Sequence, residues 1–503
     1  MSKFYVSTAI AYVNGAPHIG HALEFIQADV LARYHRLCGD DTFYLTGTDE
    51  HGVKIYETAQ EQGVTTQALV DGNAEKFMAL RDILCLSNDD FIRTTSERHK
   101  KGVNKIWKKL FEKGDIYKDI YSGNYCVGCE AFIPEKDLDE NGFCPNHKKK
   151  PEILEEENYF FRLSKYSDAI KKAIESDEML IRPESRKKEM LNLIGEEGLR
   201  DVSFSRPKDV LPWGVDVPGD DSQVMYVWCD ALSNYITAMD YENEGALFKK
   251  YWPCDVHLIG KDILRFHAGI WIGMLMSAGV DLPRAIYVHG FITSEGQKMG
   301  KSLGNVVDPL DYVDKYGVDA MRYYLLREIP TMDDGDFSHK RFVDLYNSEL
   351  ANSLGNLVNR VVMMVDRYLD GKVPEETDGE EVFPVIERII SQYEAAFENF
   401  DIKRACELSV ELTNFANKYI DDTKPWNMAK EEDEELPEVL YDLLEILRVI
   451  AILLIPILPN SAKLILAQLA INEEDCILSD RWGVLTKGHK INSAAPVFPR
   501  IED

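Results

Sequence analysis

The chain has 503 residues, of which 45% are hydrophobic and 28% are charged, and this composition excludes disordered, collagen-like and low-complexity proteins. Lys and Arg number 57 against 86 Asp and Glu, which gives a formal net charge of −29. Such acidity influences solubility but does not exclude a local surface for RNA. At about 150 residues per domain, the length predicts roughly three domains.

The first 116 residues alternate between strand and helix patterns. Residues 3–9 have the composition of a buried strand, and apolar residues from Ile19 to Tyr34 recur at helical spacing. A second predicted strand, 42–46, runs into a Gly-Thr-Asp turn. This alternation predicts a parallel sheet with helices on its faces.

A phosphate site is predicted where the first strand passes into the first helix. The sequence there is Pro17-His18-Ile19-Gly20-His21, and a helix N-terminus offers N–H groups and a positive dipole end to an anion. Gly20 permits close approach of a ligand to the backbone. His18 and His21 lie three residues apart and can donate to phosphate oxygens. Two surface histidines at a helix start would give the same short pattern, so the motif alone does not decide between the two interpretations.

The alternation of strands and helices lapses over residues 117–225, which predicts an inserted domain. Within it, Cys126 and Cys129 are followed after fourteen residues by Cys144 and His147. Two close pairs of sulfur and nitrogen ligands fit tetrahedral Zn²⁺ far better than chance pairing of cysteines in a loop. Because protein ligands fill all four positions, we expect one structural zinc ion per chain.

The strand pattern resumes over residues 226–337, which predicts the second half of the same sheet. A glycine-flanked loop, 296–302, carries Lys298 and Lys301. Two lysines on such a loop can close over a triphosphate and stabilise a leaving pyrophosphate, although an exposed basic loop would have the same sequence. The predicted fold class is α/β, with a Rossmann-like catalytic domain split by a zinc-knuckle insertion and followed by an all-α bundle.

Residues 338–503 are predicted to form that helical bundle, since 381–398, 402–420 and 436–455 keep the helical period. The longest apolar run, 449–458, contains Pro456 and falls well short of the ~20 residues of a spanning helix. No signal peptide is visible at the N-terminus. Six of the nine cysteines are scattered singly, which is typical of a reducing compartment. We therefore expect a cytoplasmic protein with no membrane segment.

The two phosphate motifs correspond to the HIGH-type and KMSKS-type motifs of class I aminoacyl-tRNA synthetases. Five further segments, TGTDEHG, YVWCDALSNY, LIGKDILRFHAGIWIGML, VHGFIT and KPWNM, are similar to the methionyl-tRNA synthetase family in particular. The resemblance extends over nearly the whole chain. One departure is Gly300, where the family usually has Ser, and it leaves both lysines in place.

The resemblance implies that the chain activates L-methionine with ATP, forming methionyl-adenylate and pyrophosphate, and transfers methionine to the 3′ end of tRNA(Met). Mg²⁺ is expected to accompany the ATP. The implied catalytic residues are His18, His21, Lys298 and Lys301. Those four residues and Gly20 are implied to bind ATP, together with Lys261, Asp262 and Gly290.

The residues that the resemblance implies for methionine form an aromatic-rich slot with one carboxylate, which suits an apolar, polarizable side chain with an ammonium group. They are Ile10, Tyr12, Asp49, Trp228, Ala231, Tyr235, Ile263, His267 and Trp271, with Asp49 for the ammonium group. Without the flanking motifs, the aromatic residues would be taken for ordinary core residues. Leu232, which stands where some relatives have Pro, leaves one wall of the slot less defined.

In the bundle, the resemblance implies that the anticodon is read by Asn356, Arg360, Pro425 and Trp426. Asn356 and Arg360 lie four residues apart and thus share a helical face, and Asn, Arg and Trp are residue types that read single-stranded bases. A solvated polar face is the alternative. Both initiator and elongator tRNA(Met) are expected partners, and the expected oligomeric state is a monomer.

Three alternative functions remain open at this point. The first is a class I synthetase for another amino acid, although the insertion is too short for the editing domain of the Ile, Val and Leu enzymes. The second is a synthetase-like RNA-binding or regulatory protein without catalysis, which would have no physical reason to keep both phosphate motifs. The third is a small nucleotidyltransferase with the HxGH motif, a class that lacks the zinc knuckle and the bundle.

Overall fold

The computed structural model describes residues 2–129, 131–133, 135–298, 307–479 and 481–501. The first part of the chain alternates strands and helices as its sequence predicts. Its elements are β1 (Lys3–Thr8), β2 (Ala11–Tyr12), α1 (Ile19–Leu37), β3 (Asp41–Asp49), α2 (Val53–Gln62), α3 (Thr66–Ile83), β4 (Asp90–Arg93) and α4 (Glu97–Glu112).

The middle of the chain consists mostly of short strands. Its elements are β5 (Ile116–Cys126), β6 (Ala131–Ile133), β7 (Glu152–Phe161), α5 (Ser167–Glu175), β8 (Leu180–Arg182), α6 (Glu184–Ile194), β9 (Val202–Ser203), β10 (Ser205–Pro207), β11 (Asp216–Val217) and β12 (Asp220–Met225). Strands β5, β6, β7 and β9 form one antiparallel sheet, and β10, β11 and β12 form another.

The second half of the nucleotide-binding region follows directly. Its elements are α7 (Val227–Leu232), α8 (Asn234–Thr237), α9 (Ala246–Tyr251), β13 (Val256–Gly260), α10 (Ile272–Ala278), β14 (Ala285–His289), β15 (Ile292–Ser294), β16 (Gln297–Lys298), α11 (Pro309–Tyr316), α12 (Val318–Arg327) and β17 (Gly335–Phe337). A π-helical segment, Phe266–Trp271, leads into α10.

The two halves of the chain meet in one seven-stranded parallel sheet. Its strand order is β2-β3-β1-β13-β14-β8, with β4 also paired to β3. The junction lies between β1 and β13, where Val6 pairs with Val256. These partners are far apart in sequence, so the sheet confirms the prediction of one sheet built from two halves.

Part of the region predicted as an insertion belongs to the central sheet. Strand β8 pairs in parallel with β14, and Ile286 is the partner of Ile181. The range 117–225 therefore does not stand apart from the sheet along its whole length. The domain limits at residues 116, 225 and 337 remain predictions.

The core lies on both faces of the central sheet because alternate side chains of a strand point to opposite faces. On β1, Phe4 and Val6 belong to the apolar cluster of α1 and the helical bundle. Tyr5 belongs to a second apolar cluster, with α4 and buried residues of the middle part of the chain. The bundle and one face of the sheet thus share a continuous apolar cluster.

The C-terminal part of the chain is helical, as predicted. Its helices are α13 (His339–Leu345), α14 (Asn356–Leu369), α15 (Phe383–Glu398), α16 (Ile402–Thr423), α17 (Pro425–Glu431), α18 (Leu436–Leu454) and α19 (Pro459–Gln468). A π-helical segment, Tyr346–Gly355, joins α13 to α14. Among the described residues, no helix is long and apolar enough to cross a membrane.

Candidate active site

A cavity of about 950 Å³ opens at the carboxyl ends of the central strands. Its walls include Ile10 after β1, Asp262 after β13 and Gly290 after β14. In a parallel sheet a crevice forms where the connections that follow two neighbouring strands run to opposite faces of the sheet. The junction between β1 and β13 is such a position, so the topology itself explains where the cavity lies.

The predicted phosphate motif caps helix α1 with its own histidines. The Gly20 N–H donates to His18 Nδ1 at 3.1 Å, and the His18 N–H donates to His21 Nδ1 at 3.2 Å. A nitrogen that accepts a hydrogen bond carries no proton, so in each neutral ring the proton is on Nε2. Burial lowers the pKa of His21 well below its usual range. Both histidines line the cavity as neutral N–H donors at a helix N-terminus.

Two glycines of the site are required by packing within the chain. A Cβ at Gly20 would lie 2.9 Å from Cε1 of the capping His18 ring. A Cβ at Gly290 would lie 2.2 Å from the backbone of Asp333. Both positions also line the cavity. Glycine at residue 20 is therefore favoured for a second reason besides close approach of a ligand, because the capping ring of His18 leaves no room for a side chain.

A buried acid–base pair below the phosphate motif was missed at the sequence level. Glu24 accepts from His289 Nε2 at 2.9 Å, and His289 Nδ1 donates to the Gly290 carbonyl at 2.8 Å. Burial is the largest single influence and would lower the pKa of His289, but the hydrogen bond and charge of Glu24, the Gly290 carbonyl and the charge of Asp262 together raise the pKa. Glu24 lines the cavity, and its second carboxylate oxygen has no hydrogen-bond partner among the residues that the structure describes. Glu24 follows His21 by three residues on α1, so helical spacing could have identified it.

The structure brings eight of the nine predicted methionine residues to the cavity. The lining residues are Ile10, Tyr12, Asp49, Trp228, Ala231, Tyr235, Ile263 and His267. Trp228 stacks on Phe266 with ring centroids 3.9 Å apart. Trp271 does not line the cavity: it is fully buried behind Tyr235, with ring centroids 5.8 Å apart, and its Nε1 donates to His257.

The hydrogen bonds of the apolar slot determine the tautomer of its histidine. His267 Nδ1 donates to the Ile263 carbonyl at 3.0 Å, so Nε2 is the acceptor of the Tyr235 hydroxyl proton at 2.7 Å. Burial lowers the pKa of His267 to about 4. Both polar groups are therefore neutral and mutually satisfied, which suits a slot for an uncharged thioether side chain.

Asp49 ends strand β3 beside a strongly anchored residue. The neighbouring Glu50 is fully buried, accepts from Arg93 Nε at 2.6 Å and from Thr48 at 2.6 Å, and its carbonyl accepts from Trp213 at 2.7 Å. Asp49 itself is almost fully buried and lines the cavity. The Asp49 carboxyl group is thereby placed at the cavity wall, next to an anchored stretch of backbone.

The remaining predicted ATP residues have different outcomes. Asp262 lines the cavity, whereas the Lys261 ammonium is held by Asp334 at 2.6 Å. Lys298 ends the short strand β16, which pairs with β15. Lys301, together with the rest of the lysine loop, 299–306, lies outside the described residues.

The predicted zinc ligands converge as their spacing predicts. One ligand atom from each of Cys126, Cys129, Cys144 and His147 lies within 4.8 Å of all the others. His147 Nδ1 is 3.3 Å from Cys129 Sγ, and Cys129 Sγ is 3.5 Å from Cys144 Sγ. These separations match the edges of a tetrahedron around Zn²⁺ with Zn–S bonds of about 2.3 Å. Gly128 and Cys129 also line the cavity, so the knuckle forms part of its wall.

Two of the predicted anticodon residues, Arg360 and Trp426, are in contact in the bundle. The Arg360 guanidinium lies over the Trp426 ring at 5.7 Å and donates to Asp421 at 3.0 Å. Pro425 is the buried first residue of α17. Asn356 is exposed one turn before Arg360 on α14.

Comparison with family models assigns both parts of the chain. A model described as class I tRNA synthetases (M) matches residues 4–150 and 139–362. A model of the anticodon-binding domain of methionyl tRNA ligase matches residues 372–503.

Individual relatives match over almost the whole of this chain. A methionine–tRNA ligase of Caldanaerobacter subterraneus is 45% identical over 99% of this chain and 79% of that protein. One from Rickettsia felis is 42% identical over 100% of this chain and 99% of the relative. The solved Mycobacterium tuberculosis methionyl-tRNA synthetase in complex with methionyl-adenylate superposes with a TM-score of 0.95 at 39% identity, covering 99% of this chain and 100% of that one.

Proposed function

The chain belongs to the methionyl-tRNA synthetase family, and from this membership we propose that it joins L-methionine to tRNA(Met) at the expense of ATP. In the first step a methionine carboxylate oxygen attacks the α-phosphorus, and the bond to pyrophosphate breaks. In the second step a hydroxyl of the tRNA 3′ end attacks the adenylate carbonyl carbon and releases AMP. The observation that carries the proposal is the capped His18–His21 motif opening into the same cavity as the aromatic slot.

Positioning and charge stabilisation are the protein's contribution, since both nucleophiles belong to substrates. The Nε2–H groups of His18 and His21 are placed to donate to phosphate oxygens as negative charge develops. Lys298 and Lys301 are proposed to neutralise the pyrophosphate side, with Mg²⁺ entering as the counterion of ATP. Asp262, Gly290 and the free oxygen of Glu24 offer the adenosine moiety hydrogen-bond acceptors and backbone contact.

Methionine is proposed to lie between the aromatic wall and Asp49. The thioether would contact the neutral Tyr235–His267 pair, and the ammonium group would be held by the Asp49 carboxylate. A cation at that position would be stabilised by one fixed, buried anion. Trp271 would support Tyr235 from behind without contacting methionine.

The finer assignments of partner and compartment are also proposals. Stacking of an anticodon base on Trp426 and hydrogen bonds from Asn356 and Arg360 would recognise tRNA(Met), both initiator and elongator. We propose a monomer in the cytoplasm. The reducing compartment is supported by the nine cysteines, all within the described part of the chain, none of which forms a disulfide.

The Cys126, Cys129, Cys144 and His147 set is proposed to hold one zinc ion. When bound, the ion would supply a structural crosslink, since four protein ligands complete a tetrahedral coordination shell. By crosslinking these four residues, the ion would fix the position of the cavity wall at Gly128 and Cys129.

The proposal is tested by ATP–pyrophosphate exchange with the twenty amino acids offered singly, followed by charging of tRNA(Met). We expect exchange with methionine alone. Trp426→Ala should lower charging at limiting tRNA by at least about tenfold, the effect of losing one stacked base, while methionine-dependent exchange stays unchanged.

Each departure has a separate meaning. Exchange with a different amino acid would keep the class and contradict the methionine slot. No exchange with any amino acid would favour a non-catalytic RNA-binding protein. Equal loss of exchange and charging in Trp426→Ala would contradict the anticodon role of that residue.

A further inference from the structure

A buried carboxylate outside the cavity wall, Asp230, joins the predicted ammonium site to the methionine slot. Asp230 Oδ2 lies 2.6 Å from His51 Nδ1, and Asp230 Oδ1 lies 2.8 Å from His99 Nε2. Asp230 is 1% exposed, His51 is 3% exposed and His99 is fully buried. No role in the reaction described above uses any of these three residues.

The hydrogen-bond partners determine which atoms carry protons. Burial alone would raise the pKa of Asp230, but the two imidazoles outweigh it and hold the pKa far below its usual range. An ionised carboxylate only accepts, so His51 must carry its proton on Nδ1 and His99 on Nε2. The other ring nitrogen of His99, Nδ1, lies 2.8 Å from the Thr237 hydroxyl. The two imidazole nitrogens that contact Asp230 are thus both donors.

Asp230 connects segments that are distant in sequence and that both contribute residues to the cavity wall. His51 follows Asp49 by two residues, at the end of β3. Asp230 lies on α7 between Trp228 and Ala231, which line the aromatic slot. Thr237 is the last residue of α8, the helix that carries Tyr235.

The carboxylate of the neighbouring Glu50 contacts other elements of the chain. Its carboxylate binds Arg93 at the end of β4 and Thr48 on its own strand, so it anchors the end of β3 to its neighbour in the sheet. The contact between His51 and Asp230 instead bridges from the sheet to α7. The distance between Asp49 and the aromatic slot therefore depends on Asp230.

We propose that Asp230 is a positioning residue for methionine, which sets the distance between the ammonium-binding Asp49 and the thioether slot through His51. The inference rests on the proposed function, in which Asp49 binds the ammonium group. In its bound conformation methionine has one distance from sulfur to nitrogen, so a wall displaced by a fraction of an ångström weakens the contacts at one end or the other. Asp230 itself touches no substrate.

The test replaces Asp230 by its isostere and measures each end of the ligand separately. In Asp230→Asn, the amide N–H₂ faces an imidazole N–H, and two buried donors oppose each other. The probes are two competitive inhibitors of methionine-dependent exchange. Methylsulfanyl-propylamine keeps the thioether and the ammonium group, and methylsulfanyl-butanoate keeps the thioether and the carboxylate. We expect the inhibition constant of the amine to rise about tenfold and that of the acid to change less than about twofold.

A matched control removes a buried carboxylate that is not connected to the cavity. Asp115 is fully buried and accepts from Lys165 at 2.6 Å and Ser277 at 2.7 Å. Asp115→Asn should lower stability without changing either inhibition constant. An equal rise for both inhibitors in Asp230→Asn, or the same selective change in Asp115→Asn, would overturn the proposal.

The Asp49→Asn variant separates failure of this inference from failure of the proposed function. It should raise the inhibition constant of the amine selectively. If it does and Asp230→Asn does not, the positioning role is wrong and the ammonium site remains. If Asp49→Asn has no such effect, the ammonium site is wrong and the positioning role fails with it.

A second pair of variants keeps the proposal testable if Asp230→Asn does not fold. His51→Ala removes the Nδ1 donor, whereas the side-chain amide of His51→Asn can place an N–H near the same position. His51→Asn should recover most of the amine affinity that His51→Ala loses. Equal losses in the two variants would show that the donor to Asp230 is not what positions the ligand.

Discussion

At the scale of the residue, the site is made of polar groups whose protonation is fixed by neighbours. The capping bonds leave His18 and His21 with Nε2–H donors, and the Ile263 carbonyl leaves His267 with an acceptor for Tyr235. Because His267 is buried, its neutral form avoids the cost of a buried charge.

The neutral His267 makes stability depend on pH. Its pKa is lowered from 6.5 to about 4 because the ring is buried. Between these values the unfolded chain binds a proton that the folded chain does not, so the free energy of unfolding falls as the pH drops through this window. His267→Gln, which cannot titrate, should flatten that decline.

Urea unfolding at several pH values between 7 and about 4 measures the effect. The lowered pKa values of His21 and His257 act in the same direction in both proteins, so the difference between wild type and variant isolates His267. Identical pH slopes would mean that His267 is protonated in the folded state.

At the scale of the element, the Cys/His cluster that is proposed to hold zinc is built from residues close together in sequence. The β5–β6 hairpin carries the first ligand pair, and the second pair follows in a turn. Gly128 lies between the two cysteines of the first pair, directly against the ring of the fourth ligand: a Cβ there would be 2.6 Å from His147 Cδ2. A side chain at residue 128 must therefore displace His147.

Gly128→Ala should weaken zinc binding by at least about tenfold, the scale of effect for a mispositioned ligand. Competition with a colorimetric chelator measures the affinity. Gly72→Ala is the matched control, since no atom lies within 4 Å of a Cβ placed on that helical glycine. Unchanged affinity in Gly128→Ala would show that His147 is not a ligand.

At the scale of the whole molecule, one arginine fastens the nucleotide-binding region to the bundle. Arg322 on α12 is fully buried and donates to Asp29 on α1 at 2.8 Å. It also donates to the carbonyls of Pro456 and Ile457, between α18 and α19, each at 2.9 Å. The helix that begins with the phosphate motif is thus tied directly to the helical part of the chain.

Arg322→Met should lower the free energy of unfolding by about 3 kcal/mol or more, because it leaves a buried carboxylate and three backbone carbonyls, those of Leu84, Pro456 and Ile457, with fewer donors. Arg341→Met, which breaks an exposed pair with Glu328, should cost about 0–1 kcal/mol. Chemical denaturation compares the two variants. Equal small losses would mean that the apolar cluster alone holds the two parts together.

The parts of this protein that depend on neighbouring residues were predictable from the sequence. Helix α1 follows from its apolar spacing, the convergence of the Cys/His cluster from two short pairs, and the parallel sheet from alternating elements, since each pattern is set by local backbone geometry. Of the nine residues that the resemblance to a known family implied for methionine, eight line the cavity. Trp271 was the exception because an aromatic residue behind a wall and one in it have the same sequence signature.

Only the tertiary structure decided which distant polar groups share protons and which elements they hold together. Glu24 finds His289 across 265 positions, and Arg322 reaches Asp29 across 293. The tertiary structure likewise placed β8 in the central sheet, although the sequence of β8 lies within the predicted insertion. The physical reason is that periodicity reports which face of an element is buried, whereas a buried polar group must be satisfied by whatever partner the packed chain brings within about 3 Å. That partner is chosen by the fold and has no local signature in the sequence.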